Sequence, residues 1–398
     1  MVSLREEVVA LDKQYVLQTY RRSDFVVERG EGVYLYDSDG KRYLDFVAGI
    51  AVNALGYCDP EIVKAIQEQA CRYSHVSNLY GMEPQARLAQ MLVEKSFADK
   101  VYFCNSGAEA NEAAFKFARK WGRRDGNDRY EIIAFSGAFH GRTFGALAAT
   151  PREHYQQPFR PLIGGVRIAE FNDLDSARAQ VTDKTCAIIV EPIQGEGGVN
   201  LAKDDFMVGL RRLCDENGLL LILDEVQCGL GRTGKLWAYQ WYGIEPDVMT
   251  LAKPLGGGLP MGATLMTQDV ASAVEVGDHG STFAANALIA RVAQVVVRRI
   301  ASEAFLAHVR KVGDYLGQRL HELAARKPII KEVRGRGLIW AAELTEEAAP
   351  YIRKGYDEGV IIALAGPNVL RFLPPLIVTE QHVDELMVAL GRVLPDGR

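Results

Sequence analysis

The middle of the chain alternates short, unbroken apolar runs with longer stretches of helical period. "DKVYFC" leads into "AEANEAAFKFARKWGRR", and "YEIIAF" follows. "KTCAIIVEP" leads into "DDFMVGLRRLCDENG", and then come "LLLILDEV", "PDVMTLAK" and "GATLMTQ". Apolar runs of roughly 4–8 residues alternating with helical segments predict parallel βαβ units, with strands covered on both faces. The first ~50 residues behave differently. There "FVVERGEGVYLYDSDGKRYLDFVAG" alternates apolar and polar positions around a turn at Asp39-Gly40. That predicts an antiparallel meander with one face in water. The C-terminal part opens on a long helical pattern from "ANALIARVAQ" to "ELAARK", continues with short strands, and closes on the amphipathic "TEQHVDELMVALGRVL". The expectation is an α/β protein. Its large domain, residues 53–288, holds a mostly parallel sheet flanked by helices, and a smaller α+β domain is built from both chain ends, residues 1–52 and 289–398.

Composition narrows the function classes. A chain of 398 residues accommodates one large domain and a smaller one. At 48% hydrophobic and 24% charged residues it reads as an ordinary globular protein. A net charge of −5 supplies no basic footprint, so no nucleic-acid partner is expected. No run approaches the ~18 apolar residues of a membrane span. The start of the chain, with Glu6, Glu7 and Asp12, does not read as a secretory leader. A cytoplasmic location without membrane attachment is the expectation. The six cysteines form no C-x-x-C and do not combine with histidines at zinc spacing, so no metal is expected; most sit inside apolar runs and read as small buried hydrophobes in a reducing compartment.

Candidate chemistry gathers just beyond predicted strand ends, where open α/β sheets bind ligands. Ser106, Gly107 and Ala108 follow "VYFC" and open a helix, whose N-terminus favours a phosphate. Ser106 with Glu109 is equally a capping box. Asp224 ends "LLLIL" and needs a partner: a structural arginine such as Arg232, or a protonated ring nitrogen. Glu191 follows "AIIV", and Glu196 comes in the loop after it. Lys253 ends "VMTLA", and Pro254 disfavours helix for it, so an extended lysine aimed into the crevice is predicted. Desolvation there lowers a lysine pKa and makes a nucleophile suited to Schiff-base chemistry. Gly256, Gly257 and Gly258 come after the lysine, the reverse of a phosphate loop, and read as clearance for a ligand. Phe139 offers a face for a flat ring, Arg142 a fork for a carboxylate, and Arg371 in "VLRFLPPL" a buried cation requiring a carboxylate, from Glu196 or from substrate.

In combination, "NSGAEANEAA", "FHGRT", "EPIQGEGG", "LILDEVQCGLGRTG", "TLAKPLGGGLPMGA" and "HGSTF" resemble the class III aminotransferases, over nearly the whole chain from "YVLQTYRR" to "LRFLPPL". The likeness implies fold type I of the pyridoxal 5'-phosphate (PLP) enzymes, a PLP cofactor and a homodimer with active sites shared across the interface. Lys253 would be the Schiff-base lysine and proton shuttle, and Asp224 would hold the pyridine nitrogen. Gln227 would reach the ring oxygen and Phe139 would stack on the ring. Ser106, Gly107 and Ala108 would hold the phosphate, and Thr282 would reach the phosphate of the other subunit's cofactor.

Within the class the likeness is strongest to the acetylornithine branch. That implies transfer of a side-chain amine to 2-oxoglutarate in arginine biosynthesis. Arg142, with Ser281 nearby, would bind the donor's α-carboxylate, and Tyr20 in "YVLQTYRR" would lie at the substrate. Arg371 would bind the α-carboxylate of glutamate or 2-oxoglutarate, with Glu196 pairing with it when the amine substrate is bound and swinging away for glutamate. Gly49-Ile50, where ornithine enzymes tend to carry a tyrosine, favours an acylated donor. The chain departs from the usual "TFGGNPLA" with "TFAANALIA", placing Ala284, Ala285 and Ala287 beside Thr282. Succinylornithine, ornithine, 4-aminobutyrate or carrier-bound aminoadipate semialdehyde would use the same site. An aminomutase, needing no acceptor, and a non-catalytic binding protein are the readings from other classes.

Overall fold

A computed structural model describes residues 3–396. Seven strands form the central sheet, in the order Lys100–Cys104, Gly262–Met266, Val248–Leu251, Leu220–Asp224, Thr185–Val190, Glu131–Phe135 and Val166–Ala169. Every residue of Thr185–Val190, Leu220–Asp224 and Val248–Leu251 is buried, as continuous apolar runs require when both faces are covered. The sheet is parallel except for Gly262–Met266, which runs antiparallel to both neighbours. The segment after Val248–Leu251 is therefore a local connection that returns the chain antiparallel beside that strand.

The parallel pair Leu220–Asp224 and Val248–Leu251 is as expected, but the α-helix between them is not. Residues 225–247 contain only the 3-10 turn Ala238–Trp241. Glycines 231, 234 and 243 adopt φ of 81°, 87° and 63°, a left-handed geometry that ends any helix.

Strands from both chain ends pair outside the central sheet. Val27–Glu31, Tyr34–Asp37 and Arg42–Asp45 form the predicted meander, turning at Gly40 (φ 81°), and Val360–Ile361 adds a parallel fourth strand. A second antiparallel sheet contains Ile330–Arg336, Ile339–Leu344, Val369–Phe372 and Ala363–Leu364. The long helical pattern divides into Ala287–Ile300 and Glu303–Arg326, because Ser302 caps the second helix at Phe305 N–H. Ala287–Ile300 lies against the helices Pro60–Ala70 and Glu83–Val93. Glu303–Arg326 lies on the strand Ile330–Arg336, close enough that Gly313 and Gly317 leave no room for a Cβ against Gly337 and Trp340.

The sequence pattern does not anticipate the helix Leu4–Tyr15, capped by Ser3 and Glu6, nor the strand Val166–Ala169. Cys104, Cys186, Cys214 and Cys228 are buried as expected, whereas Cys58 and Cys71 are exposed. Among the described residues, no helix is long and apolar enough to cross a membrane.

Candidate active site

The carboxyl ends of the central strands open on a cavity of about 460 Å³, lined by residues from six chain segments. Ser106, Gly107 and Ala108, Phe139 and Arg142, Glu196, Asp224 and Gln227, and Lys253 all line it. A larger cavity, about 1110 Å³, lies between the helix Leu4–Tyr15 and residues 18–26, with no residue of the central sheet in its lining. Tyr20, 75% exposed, sits there and not in the crevice.

Lys253 does not extend from the strand tip. Its φ is +37°, and it begins the 3-10 turn Lys253–Gly256. Pro254 excludes right-handed helix for the residue before it; here the backbone answers with the left-handed region instead of an extended one, a strained geometry for a side chain with a Cβ. Nor do the three glycines serve only a ligand. A Cβ at Gly257 would meet Ile62, Val292 and Val296 at 3.0–3.1 Å, and one at Gly258 would meet Asn53 at 3.2 Å. They let the lysine turn seat against the helices Pro60–Ala70 and Ala287–Ile300, although Gly258 also lines the crevice.

Among the described residues the Lys253 amine makes no hydrogen bond or ion pair. Burial pushes its pKa below the usual lysine value; Glu196 pulls back and Arg371 adds to the depression. An unpartnered amine whose protonation is disfavoured by burial is suited to act as a nucleophile and a base.

Asp224 is anchored without Arg232. Its Oδ2 accepts from Asn111 Nδ2 and contacts His140 Nδ1, each at 2.8 Å, and its Oδ1 accepts from Val226 N–H at 3.0 Å. Asn111 in turn accepts from Thr250 Oγ1 at 2.8 Å. Burial works against a charged His140, but its hydrogen bond and ion pair with Asp224 outweigh that and raise its pKa. Arg232 is fully buried elsewhere and donates to the carbonyls of Leu338 and Pro374 at 2.9 and 2.5 Å.

The helix Gly107–Gly122 presents its N-terminus to the crevice. Half of the expected capping box forms: Ser106 Oγ accepts from Glu109 N–H, while the Glu109 carboxylate takes Asn105 N–H, one residue earlier. Glu191, buried and raised in pKa chiefly by that burial, accepts Phe139 N–H at 2.8 Å and so fixes the ring-bearing loop. Glu112 accepts from Thr143, Gly145 and Ala146, bracing the loop after Arg142. The Arg142 guanidinium lies over the Tyr155 ring at 3.6 Å.

Arg371, on the buried strand Val369–Phe372, has Glu196 as its carboxylate, at 2.5 Å. Gly195 O and Gln227 Oε1 complete its partners at 2.9 and 3.1 Å, and Gln227 Nε2 donates to Glu196 at 3.2 Å. Burial opposes the Glu196 charge, yet Arg371 more than compensates and lowers its pKa.

Besides Tyr20 and Arg371, two more expected site residues are not among those lining this chain's crevice. Ser281 accepts from Asn105 Nδ2 at 2.9 Å and faces a separate hollow, and Thr282 is exposed. Ala284, Ala285 and Ala287 are buried beside them, Ala285 with φ +45°. Sequence reasoning passed over His140 and Asn111. Asn111 carries a signal: it is the polar member of the apolar face it shares with Ala114, Phe115 and Ala118.

The set fits PLP. An aldehyde has the free amine of Lys253, a phosphate has the helix N-terminus at Ser106–Ala108, and a protonated ring nitrogen has Asp224, held from behind by His140 and Asn111. His140 Nε2, in the crevice lining, is buried without a partner among the described residues.

Comparison with known proteins agrees. The acetylornithine aminotransferase of Methanocaldococcus jannaschii is 47% identical over 393 residues, covering 98% of this chain and 99% of that protein. The succinylornithine transaminase of Yersinia enterocolitica is 46% identical, covering 95% of this chain and 94% of that protein. The ornithine aminotransferase of Toxoplasma gondii, solved with PLP partially occupying its active site, superposes with a TM-score of 0.94 at 31% identity, covering 99% of this chain and 94% of that one. The profile of the family "Aminotransferase class-III" matches residues 15–394, and the chain belongs to that family.

Proposed function

We propose that the protein is a PLP-dependent transaminase that moves the side-chain amino group of N2-acetyl-L-ornithine to 2-oxoglutarate, giving N-acetyl-L-glutamate 5-semialdehyde and L-glutamate. The observation that carries the reading is that Glu196, which lines the crevice with Lys253, is paired with the buried Arg371. One site must accept an amine at the far end of a chain and then an α-amino acid. A buried guanidinium covered by a rotatable carboxylate presents a neutral face to the first and a cation to the second. The Methanocaldococcus relative supports the acetylated donor.

Bound in the crevice, PLP supplies a carbonyl for the amine and an electron-withdrawing ring. Asp224 would hold the ring nitrogen protonated, with His140 and Asn111 fixing the carboxylate. Ser106, Gly107 and Ala108 would hold the phosphate, Phe139 would cover the ring and Gln227 would reach its oxygen. Lys253 Nζ, whose protonation desolvation disfavours, would take the proton from the substrate carbon and return it during transfer. Arg142 would bind the donor's α-carboxylate, and Arg371, released by Glu196, that of glutamate.

A second copy of the chain completes the reading. Thr282 is exposed and adjoins Phe283, itself 61% exposed, while Leu79 and Tyr80 stand out at 84% and 65%. Such apolar residues suit an interface that carries Thr282 to the partner's crevice. A cytoplasmic location goes with this activity.

A panel of amine donors with 2-oxoglutarate tests the substrate. Acetylornithine should be turned over fastest, and faster use of ornithine or 4-aminobutyrate would overturn the assignment. Succinylornithine is the second reading, favoured by the Yersinia relative, and the same panel decides it.

A further inference from the structure

Residues Ala48, Gly49, Ile50 and Ala51 form one turn of left-handed helix, with φ of 51°, 63°, 63° and 63°. Left-handed helix is disfavoured for every residue with a Cβ, and a β-branched residue such as Ile50 is a genuine outlier there. Strain of this kind persists only where its surroundings over-determine it. Here they do. Asp45, 1% exposed, accepts from Val47 N–H at 2.7 Å, from Ala48 N–H at 3.0 Å and from the Tyr57 hydroxyl. Tyr57 also meets the Asn53 amide, which fills the space a Cβ would take at Gly49 and at Gly258.

The turn links the crevice to the Arg371 strand. Through Asn53 it abuts Gly258, in the glycine segment that follows Lys253. On the other side Leu373 N–H donates to Phe46 O and Leu376 N–H to Ala54 O, each at 2.7 Å, tying the end of the Arg371 strand to the residues flanking the turn. Ala51 packs in one apolar cluster with Val369 and Leu373. Val52, the next residue, lines the crevice.

We infer that the left-handed turn Ala48–Ala51, latched by Asp45 and Tyr57, is a spacer that sets the separation between the Lys253 turn and Arg371, making Asp45 and Tyr57 positioning residues for the ligand that Arg371 binds. The inference rests on the proposed function, which gives Arg371 the α-carboxylate of 2-oxoglutarate. Arg142 sits on a separate loop braced by Glu112, so the grip on the donor's α-carboxylate does not run through the latch.

The test is Tyr57→Phe in the holoenzyme, which removes one hydroxyl and keeps the ring, with Asp45→Asn as a second variant. KM for 2-oxoglutarate should rise about tenfold, and the calorimetric Kd for glutarate, an unreactive dicarboxylate, should rise in parallel. KM for acetylornithine should stay within about twofold. Equal loss of kcat with both substrates and unchanged KM values would mark a purely structural role and overturn the inference, as would an unchanged glutarate Kd. If Asp45→Asn does not fold, Tyr57→Phe alone decides. If the wild type fails to use acetylornithine, the proposed substrate is wrong, and glutarate binding still reads the latch.

Discussion

Replacing Glu196 with alanine should make the enzyme bind glutamate more tightly. In the resting arrangement Arg371 is committed to Glu196 at 2.5 Å. Glutamate can use Arg371 only after that pair has opened, so the cost of opening it is contained in the wild-type KM. The Arg371 side chain is 3% exposed and that of Glu196 26%, so the pair lies between two limits. Breaking a fully buried pair costs about 3–5 kcal/mol, and an exposed one is worth about 0–1 kcal/mol. An intermediate cost of about 2 kcal/mol corresponds to about 30-fold in affinity. In Glu196→Ala the cation keeps only Gly195 O and Gln227 Oε1, and no opening is needed. KM for glutamate and for 2-oxoglutarate should fall by about 10- to 30-fold. The acetylornithine half-reaction should slow, because the uncovered cation now competes with Arg142 for the donor's carboxylate. Single-turnover absorbance changes of the cofactor, recorded separately with each amino donor, measure both effects. A glutamate KM that is unchanged or raised would refute the reasoning, since Glu196 would then not be competing for Arg371.

The lysine makes a pH-dependent prediction. Burial depresses the Lys253 pKa, so the folded cofactor-free protein resists protonating it; that penalty is full below the folded value and disappears above about 10.4, where the amine is neutral in the unfolded chain too. Lys253→Met should therefore raise the Tm of the cofactor-free protein at pH 7, with the gain shrinking as pH rises toward 10, and a gain that grows with pH would contradict the sign. Gly313→Ala would put a Cβ 2.2 Å from Gly337 O and should cost about 2 kcal/mol in denaturant unfolding, whereas Gly391→Ala, in a helix with open space around it, should gain up to about 1 kcal/mol. Ala285→Gly should be neutral or stabilising, because a φ of +45° costs alanine about 1–2 kcal/mol that glycine avoids; a loss above about 1 kcal/mol would show that its methyl is needed for packing.

What the sequence made legible follows from how local each signal is. Continuous apolar runs such as "CAIIV" and "LLLIL" place buried strands, and the charges just past them place Asp224, Glu191 and the crevice. The alternation before Asp45 places the meander. Positive φ is invisible to such patterns. The left-handed turn at 48–51 and the left-handed Lys253 each involve residues with a Cβ, chosen by contacts from distant segments. Likewise His140 and Asn111 look like a motif residue and a helix residue until the fold brings both within 2.8 Å of Asp224. Arg232 shows the converse: chemistry alone made it a partner for Asp224, but its backbone neighbours from the C-terminal region claim it first.

The parallel pairing of Val360–Ile361 with Leu44 and Asp45 also orders events during synthesis. Roughly 300 residues separate the two strands, and at roughly 5–20 residues per second a ribosome needs tens of seconds to cover them. Throughout that interval the meander exposes an unpaired edge at Arg42–Asp45, a template for pairing with other chains. The site-bearing sheet can assemble meanwhile, but Arg371 arrives only with the last strands. The nascent protein therefore passes through a stage in which Lys253 and Arg142 are in place and Arg371 is not, and a chain cut short before Val360 would remain there with its edge open.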